Sequence, residues 1–267
     1  MRGARGLEVS SGSMSPSPHV LRRTEGAVRV VTLARPEKKN AFTSAMYTAL
    51  TDELVAADID PGVRVVLLQG SGGCFTGGND IADFMSNPPA GEDSPVFRFL
   101  LQIVDQVKPL MVAVEGPAIG IGTTLLLHAD YVVASRDARL QMPFINLGLS
   151  PEGASSVLLP RIVGQARAAE WLLFGDPIDV ELAREAGLVH AVVDKAEVET
   201  FAMARATALA GKPPGSVQLA KKLLRDPCRA EVKDALRREG VHFVQRLASA
   251  EAAAAFQAFF TRKRDRA

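Results

Sequence analysis

The chain has 267 residues, a formal net charge of +1 and 47% hydrophobic content. That is enough apolar material for one large core, and the near-neutral balance favours neither nucleic acid nor an acidic membrane surface as a partner. Cys74 and Cys228 give no disulfide framework or metal spacing, the four histidines show no metalloprotease pairing, and no apolar run reaches transmembrane length. The expectation is a cytoplasmic protein without a metal or a bound cofactor.

Residues 1–19 are rich in Gly, Ser and Pro and lack the apolar centre of a secretory signal, so a disordered leader is expected there. The pattern from Ala27 to Leu33 predicts a first strand. Arg35 to Phe42 forms a basic turn containing Lys38, Lys39 and Ala41, and Thr43 is placed to cap a helix running to about Ala57. After Asp60-Pro61-Gly62, an apolar strand from Val63 to Leu68 runs into a Gly-rich stretch, Gly70 to Ile81, that opens toward a helix. The polar segment from Met85 to Pro95, with Pro88, Pro89 and Gly91, reads as a mobile loop. A helix from Val96 to Gln106 leads to a buried strand, Leu110 to Val114, broken at Gly116-Pro117. Gly120 and Gly122 then open another helix, and Tyr131 to Ala134 is again a strand. Strands alternating with helices predict an α/β fold with parallel pairing.

Two Gly-rich turns follow two strands, each at a helix opening, where backbone N–H groups lack partners. They serve either close packing or a developing negative charge on an oxygen. Farther on, a strand from Arg139 to Met142 precedes Ser150-Pro151-Glu152, which reads as a helix start with a cap, a first-position proline and a first-turn acid. Beyond Gly164 the chain turns helical: Gln165 to Phe174, Val180 to Ala186, Ala196 to Ala210, Ser216 to Leu224, Arg229 to Leu247 and Glu251 to Phe260, with a brief strand at Leu188 to Val193. The closing Arg262-Lys263-Arg264 suits a helix C-terminus or an anionic ligand.

The order of several motifs resembles the crotonase (enoyl-CoA hydratase/isomerase) superfamily from about Ala27 to the C-terminus. The matching stretches are Arg35-Pro36 with Asn40-Ala41-Phe42, Phe75-Thr76-Gly77-Gly78-Asn79-Asp80-Ile81, Ala113 to Gly120, and Ala129-Asp130-Tyr131. The resemblance implies repeated ββα turns forming a core over residues 20–200 and a C-terminal helical region over 201–267. It also implies homotrimers, often paired into hexamers. The implied ligand is an acyl-CoA thioester, with coenzyme A part of the substrate. Its carbonyl oxygen would sit between the backbone N–H groups of Asn79 and Ile121. Gly77, Gly78, Asp80, Ile81, Gly120, Phe144, Arg35, Lys39 and Ala41 fall at substrate-binding positions.

Where a typical hydratase of this family has two glutamates, this chain has Thr124 and Phe144. Glu152, within Leu149 to Ser156, instead matches the peroxisomal-type Δ3,Δ2-enoyl-CoA isomerases, in which one glutamate shuttles the proton. The resemblance therefore implies a one-base isomerisation of 3-enoyl-CoA to trans-2-enoyl-CoA, with Glu152 ionised at rest and Phe144 part of an apolar wall. A hydratase using Glu152 or Glu115, another crotonase-type reaction on acyl-CoA, and a non-catalytic acyl-CoA-binding module remain as alternatives.

Overall fold

The computed structural model describes residues 17–89 and 91–264, except the side chains at 259, 260 and 262–264. Of the leader expected over 1–19 only 17–19 are described, and the side chains of the Arg262-Lys263-Arg264 cluster lie outside those described.

A six-stranded sheet forms the centre, in the order β1-β2-β3-β4-β6-β9. β1 (Val20–Glu25) and β2 (Val28–Leu33) form an antiparallel hairpin; β3 (Val65–Gly70), β4 (Leu110–Val114), β6 (Tyr131–Ser135) and β9 (Ala191–Val193) then add in parallel. β1 has no counterpart in the sequence reading. Its polar LRRTE run has no apolar alternation, and what holds it is pairing to β2 rather than burial. A second sheet joins β5 (Pro117–Ile119), β7 (Arg139–Gln141) and β8 (Ile178–Asp179). Pro117, expected only to break a strand, begins one.

Period-two alternation divides the core in two. Val28, Val30, Val65, Leu67, Met111 and Ala113 face one side, against Val198, Ala202, Ala206 and Ala210 of α8 (Val198–Ala210). The four-residue spacing puts small side chains in one row, which lets this helix lie close on the sheet. α8 crosses the expected 200/201 boundary and packs with the core. Val31, Leu33, Val66, Leu68, Val112 and Val114 face the other way, into the larger cluster. There the sheet is covered by α1 (Ser44–Ile59) and α3 (Pro95–Asp105), which also pack on each other. Thr43 caps α1 as expected, its hydroxyl accepting from Met46 N.

Between these lie α2 (Ile81–Ser86) and α4 (Ile121–Thr124), the latter continued by a 3₁₀ turn to His128. α5 (Ser155–Val163) and α6 (Gln165–Phe174) follow β7, α7 (Val180–Glu185) follows β8, and α9 (Pro214–Leu247) and α10 (Ala250–Arg264) close the chain. Two readings change. The helices expected at 216–224 and 229–247 are one, because Pro227 sits inside α9 without ending it. Its missing donor costs one backbone bond, which packing along the rest of the helix offsets. The helix start at Ser150-Pro151-Glu152 is not one either: α5 begins at Ser155, after Ala154 in the left-handed region at φ 58°.

Candidate active site

The turn after β3 is built from its backbone. Phe42 N donates to Gly78 O, Asp80 N to Phe42 O, and Gly77 N to Lys39 O, tying it to the basic turn. Thr76 N donates to Pro117 O and Ile119 N to Thr76 O, zipping it to the second Gly-rich turn. Gly78 has φ 89°, and a Cβ there would stand 2.9 Å from Ile119 O. Only glycine allows both this backbone conformation and this approach. The two turns expected to share a site are therefore adjacent. The Asn79 and Ile121 N–H groups have no acceptor among the described residues. Tyr47, stacked on Phe42 at 5.0 Å, donates its hydroxyl to Asn79 Oδ1 at 2.5 Å. Burial first, then the charges of Glu152 and Asp83, push the Tyr47 hydroxyl well above the usual phenol range, so it stays a donor.

Glu152 lies on a cavity of about 410 Å³ together with Asn79 and Gly153. The cavity runs between α2, α3 and α9 over Phe84, Phe97, Leu100, Leu236 and Phe243. Thr124 donates to Glu152 Oε1 at 2.5 Å. Burial pushes the Glu152 carboxyl up to about 8; the Thr124 hydrogen bond pulls against this and the charge of Glu239 adds to it. At pH 7 a carboxyl of that strength is roughly one-tenth ionised, so Glu152 is mostly protonated at rest, not ionised as expected. Two other carboxylates border the cavity, and both are committed. Glu92 pairs with Arg237 at 2.9 Å, and Glu239 accepts from Ala154 N, Ser156 N and Ser156 Oγ at 2.6, 2.9 and 2.5 Å. The acid at the start of α5 is therefore Glu239, supplied from α9, and Glu152 is left outside the helix.

The remaining expected residues divide. Asp80 caps α2 through Ala82 N and Asp83 N, and accepts from Arg35 at 2.8 Å; its carboxyl is lowered because the Arg35 and backbone donors outweigh burial. The Arg35 guanidinium thus belongs to Asp80 and Ala41 O rather than to a free anion site. Lys38 and Lys39 are exposed and make no ion pair among the described residues. Ile81 is half-buried against the main core. Phe144 is buried, meets Phe243 edge-on at 6.5 Å, and lies 3.9 Å from where a Cβ on Gly120 would be. It stands behind the cavity wall instead of lining it. Ile121 is likewise buried and is not a lining residue. Glu115 lies on the α8 side, near Lys195, Glu199 and Asp137. Sequence reasoning missed Tyr47, Glu239 and the donor role of Thr124. A helical signal for one of them exists: Leu236, Glu239, Gly240 and Phe243 share one face of α9.

The family model described as Enoyl-CoA hydratase/isomerase matches residues 23–266. The chain belongs to that family. It is 35% identical to rat (Rattus norvegicus) enoyl-CoA delta isomerase 2 over 266 residues, covering 97% of this chain and 68% of the relative. The human (Homo sapiens) protein of the same name is 34% identical over 209 residues, covering 76% of this chain and 53% of the relative. The chain thus spans 68% and 53% of these relatives' lengths. Among solved structures, Pseudomonas aeruginosa OdaA superposes with a TM-score of 0.88 at 44% identity, covering 91% of this chain and 99% of that one. The fold is the crotonase fold with a C-terminal helical region.

Proposed function

We propose that this protein isomerises 3-enoyl-CoA to trans-2-enoyl-CoA by a one-base 1,3-proton shift at Glu152. The observation that carries the reading is that Glu152 is the carboxylate not tied up by an ion pair or a helix cap on a mostly apolar cavity, its basicity raised to about 8. A base tuned to that range is matched to taking a weakly acidic proton near neutral pH. The ionised carboxylate takes the C2 proton, and the electron pair moves onto the thioester oxygen. The Asn79 and Ile121 N–H groups, free of protein acceptors, are the donors for that oxygen; one such donor is typically worth about 3–4 kcal/mol. Protonated Glu152 then returns the proton to C4, and the double bond moves from C3–C4 to C2–C3.

The donor at 124 and the buried ring at 144 support isomerisation over water addition, because no second acid is there to manage a water. The apolar cavity suits the acyl chain and excludes water. Within the basic turn, Lys38 and Lys39 are the cations left for the coenzyme A phosphates, now that Arg35 is paired. The family's name joins both reactions, so hydration with Glu152 activating water is the second reading. Incubation with 3-hexenoyl-CoA and with crotonyl-CoA separates them. Fast formation of the conjugated 2-enoyl product with slow hydration is expected, and hydration as fast as isomerisation would overturn the reading.

A homotrimer or dimer of trimers is part of the same proposal. Phe243 and Phe256 of the C-terminal helices are buried within the protomer, and the side chains of Phe259 and Phe260 lie outside those described. Val244 and the half-buried Leu247 border this packed region. The first half of α9 instead exposes Leu219, Leu223 and Leu224 at 54%, 66% and 79%. Light scattering at micromolar concentration should give a multiple of the 28.5 kDa chain mass; a monomer would remove this part.

A further inference from the structure

We propose that Glu239 is a positioning residue for Glu152: its buried carboxylate ties the 152–154 turn to α9 at the cavity wall and fixes both the place and the charge surroundings of the base. The inference rests on the isomerase reading of Glu152 and concerns a residue outside the proton path.

Glu239 accepts three hydrogen bonds from the start of α5, and every partner is a donor. Two of the three are backbone N–H groups, which only donate, and that favours the acceptor-only carboxylate; the Ser156 hydroxyl is the one partner able to accept as well. Burial raises the Glu239 carboxyl above its ordinary value, and the Ser156 and Ala154 donors offset only part of that rise. The turn it holds is otherwise unfavourable, because Ala154 sits at φ 58°, where a side chain is uncommon. From the opposite side His128 Nε2 donates to Gly153 O at 2.8 Å, and Thr124 to Glu152. Gly153 is closely fitted as well, since a Cβ there would stand 2.8 Å from Thr124 Oγ1. Three consecutive residues are thus gripped by α4, by the turn after it and by α9.

A helix cap alone needs no such arrangement. A Ser or Asp at position 154 would serve locally, whereas this cap comes from 85 residues away and borders the cavity that Glu152 faces. The other groups around Glu152 are neutral or held in an ion pair near neutral pH. Thr124 and Tyr47 are neutral donors, His128 is held down to about 4 by burial, and Arg237 is paired with Glu92. In its ionised form Glu239 adds to burial in favouring the protonated form of Glu152, and so strengthens it as a base.

The test compares Glu239→Gln, which removes the charge, with Glu239→Asp, which keeps it one methylene short. For Glu239→Gln, plateau kcat on 3-hexenoyl-CoA should fall about tenfold to a hundredfold with KM nearly unchanged. Its acid limb should move down by about one pH unit. Glu239→Asp should lose about tenfold in plateau kcat with its acid limb in place. A purely structural role would lower melting temperature and leave the pH profile where it was. A folded Glu239→Gln with parental plateau and limb overturns the proposal. If that variant does not fold, parental kcat in Glu239→Asp does so.

An infrared titration of the protonated-carboxyl band that Glu152→Gln abolishes gives a readout independent of turnover. Its midpoint should fall in Glu239→Gln. A midpoint that moves in a protein unable to isomerise 3-enoyl-CoA would sink the proposed function alone. A midpoint that stays in an active one would sink the role of Glu239 alone.

Discussion

The turn after β3 and the turn before α5 both border the cavity, yet different forces build them. The first, 70–81, is fixed by its own backbone: glycines at special φ values, hydrogen bonds to the basic turn, and the zipper to Pro117 and Ile119. The second, 152–154, is fixed by side chains reaching in from Thr124, His128 and Glu239. The first presents backbone donors that any side chain at 79 or 121 leaves in place. The second presents one ionisable group whose strength depends on what surrounds it. Changes to the first should act on binding and fold, and changes to the second on rate and its pH dependence.

The largest expected effect is at the second turn. Glu152→Gln keeps the shape and the Thr124 hydrogen bond, so binding should survive. Isomerisation of 3-hexenoyl-CoA should fall by about 10³–10⁴-fold, the upper range for a general base without a substitute. Its stability should move in the opposite direction. The folded-state carboxyl titrates at about 8, above its unfolded value, so the stability it contributes is present at acid pH and lost as pH rises through 8. Glu152→Gln should accordingly be more stable than the parent by up to about 5 kcal/mol at pH 9, with the gap closing toward pH 5. A variant within tenfold of parental rate, or one whose stability follows the parent across this range, would remove Glu152 from the chemistry.

Gly78→Val breaks the first turn. A branched side chain at φ 89°, aimed at Ile119 O, must push the two Gly-rich turns apart. A loss of about 2–4 kcal/mol in stability is expected, from strain and steric overlap together, and calorimetry should show acyl-CoA binding at least tenfold weaker. Unchanged affinity would separate this turn from the site.

The same contrast explains what could be read from the sequence. The turn of 70–81, the strand at Leu110–Val114 and the Thr43 cap were legible because the residues that cause them are adjacent in the chain. Ser150-Pro151-Glu152 carries the local signals of a helix start, and they mislead. The left-handed Ala154 and the Glu239 cap, both invisible at that range, move the start to Ser155. Tyr47 is one more core residue of α1 until the fold sets it beside Asn79. Arg35 and Lys39 looked equivalent in the basic turn; the Asp80 that separates them is 45 residues beyond Arg35.

Thr124→Val sharpens the account of the base. The Thr124 hydrogen bond holds the Glu152 carboxyl lower than burial alone would, so losing it should move the acid limb of the rate profile to higher pH. That is opposite to the shift expected when the Glu239 charge is removed. At pH 7 the rate should drop about fivefold to tenfold through the smaller ionised fraction, and the plateau at high pH should recover most of it. A limb that stays in place would mean the hydroxyl orients Glu152 without tuning it.

Tyr47→Phe is the smallest change and tests the first turn from its side-chain end. The ring keeps its stack on Phe42 at 5.0 Å and its tilted contact with Phe99, so packing is preserved and one hydrogen bond, to Asn79 Oδ1, is lost. Removing a single buried neutral hydrogen bond typically costs about 1 kcal/mol. The amide N–H of Asn79 is set by the Phe42–Gly78 and Asp80–Phe42 bonds, which this change leaves alone. The rate should therefore fall by about threefold or less, with the pH profile unmoved and stability down by about 1 kcal/mol in a urea titration. A rate loss beyond a hundredfold would show that the Asn79 side chain, held by Tyr47, takes part in placing the oxyanion donors. The first turn would then depend on distant side chains as the second does, and the distinction between them would fail.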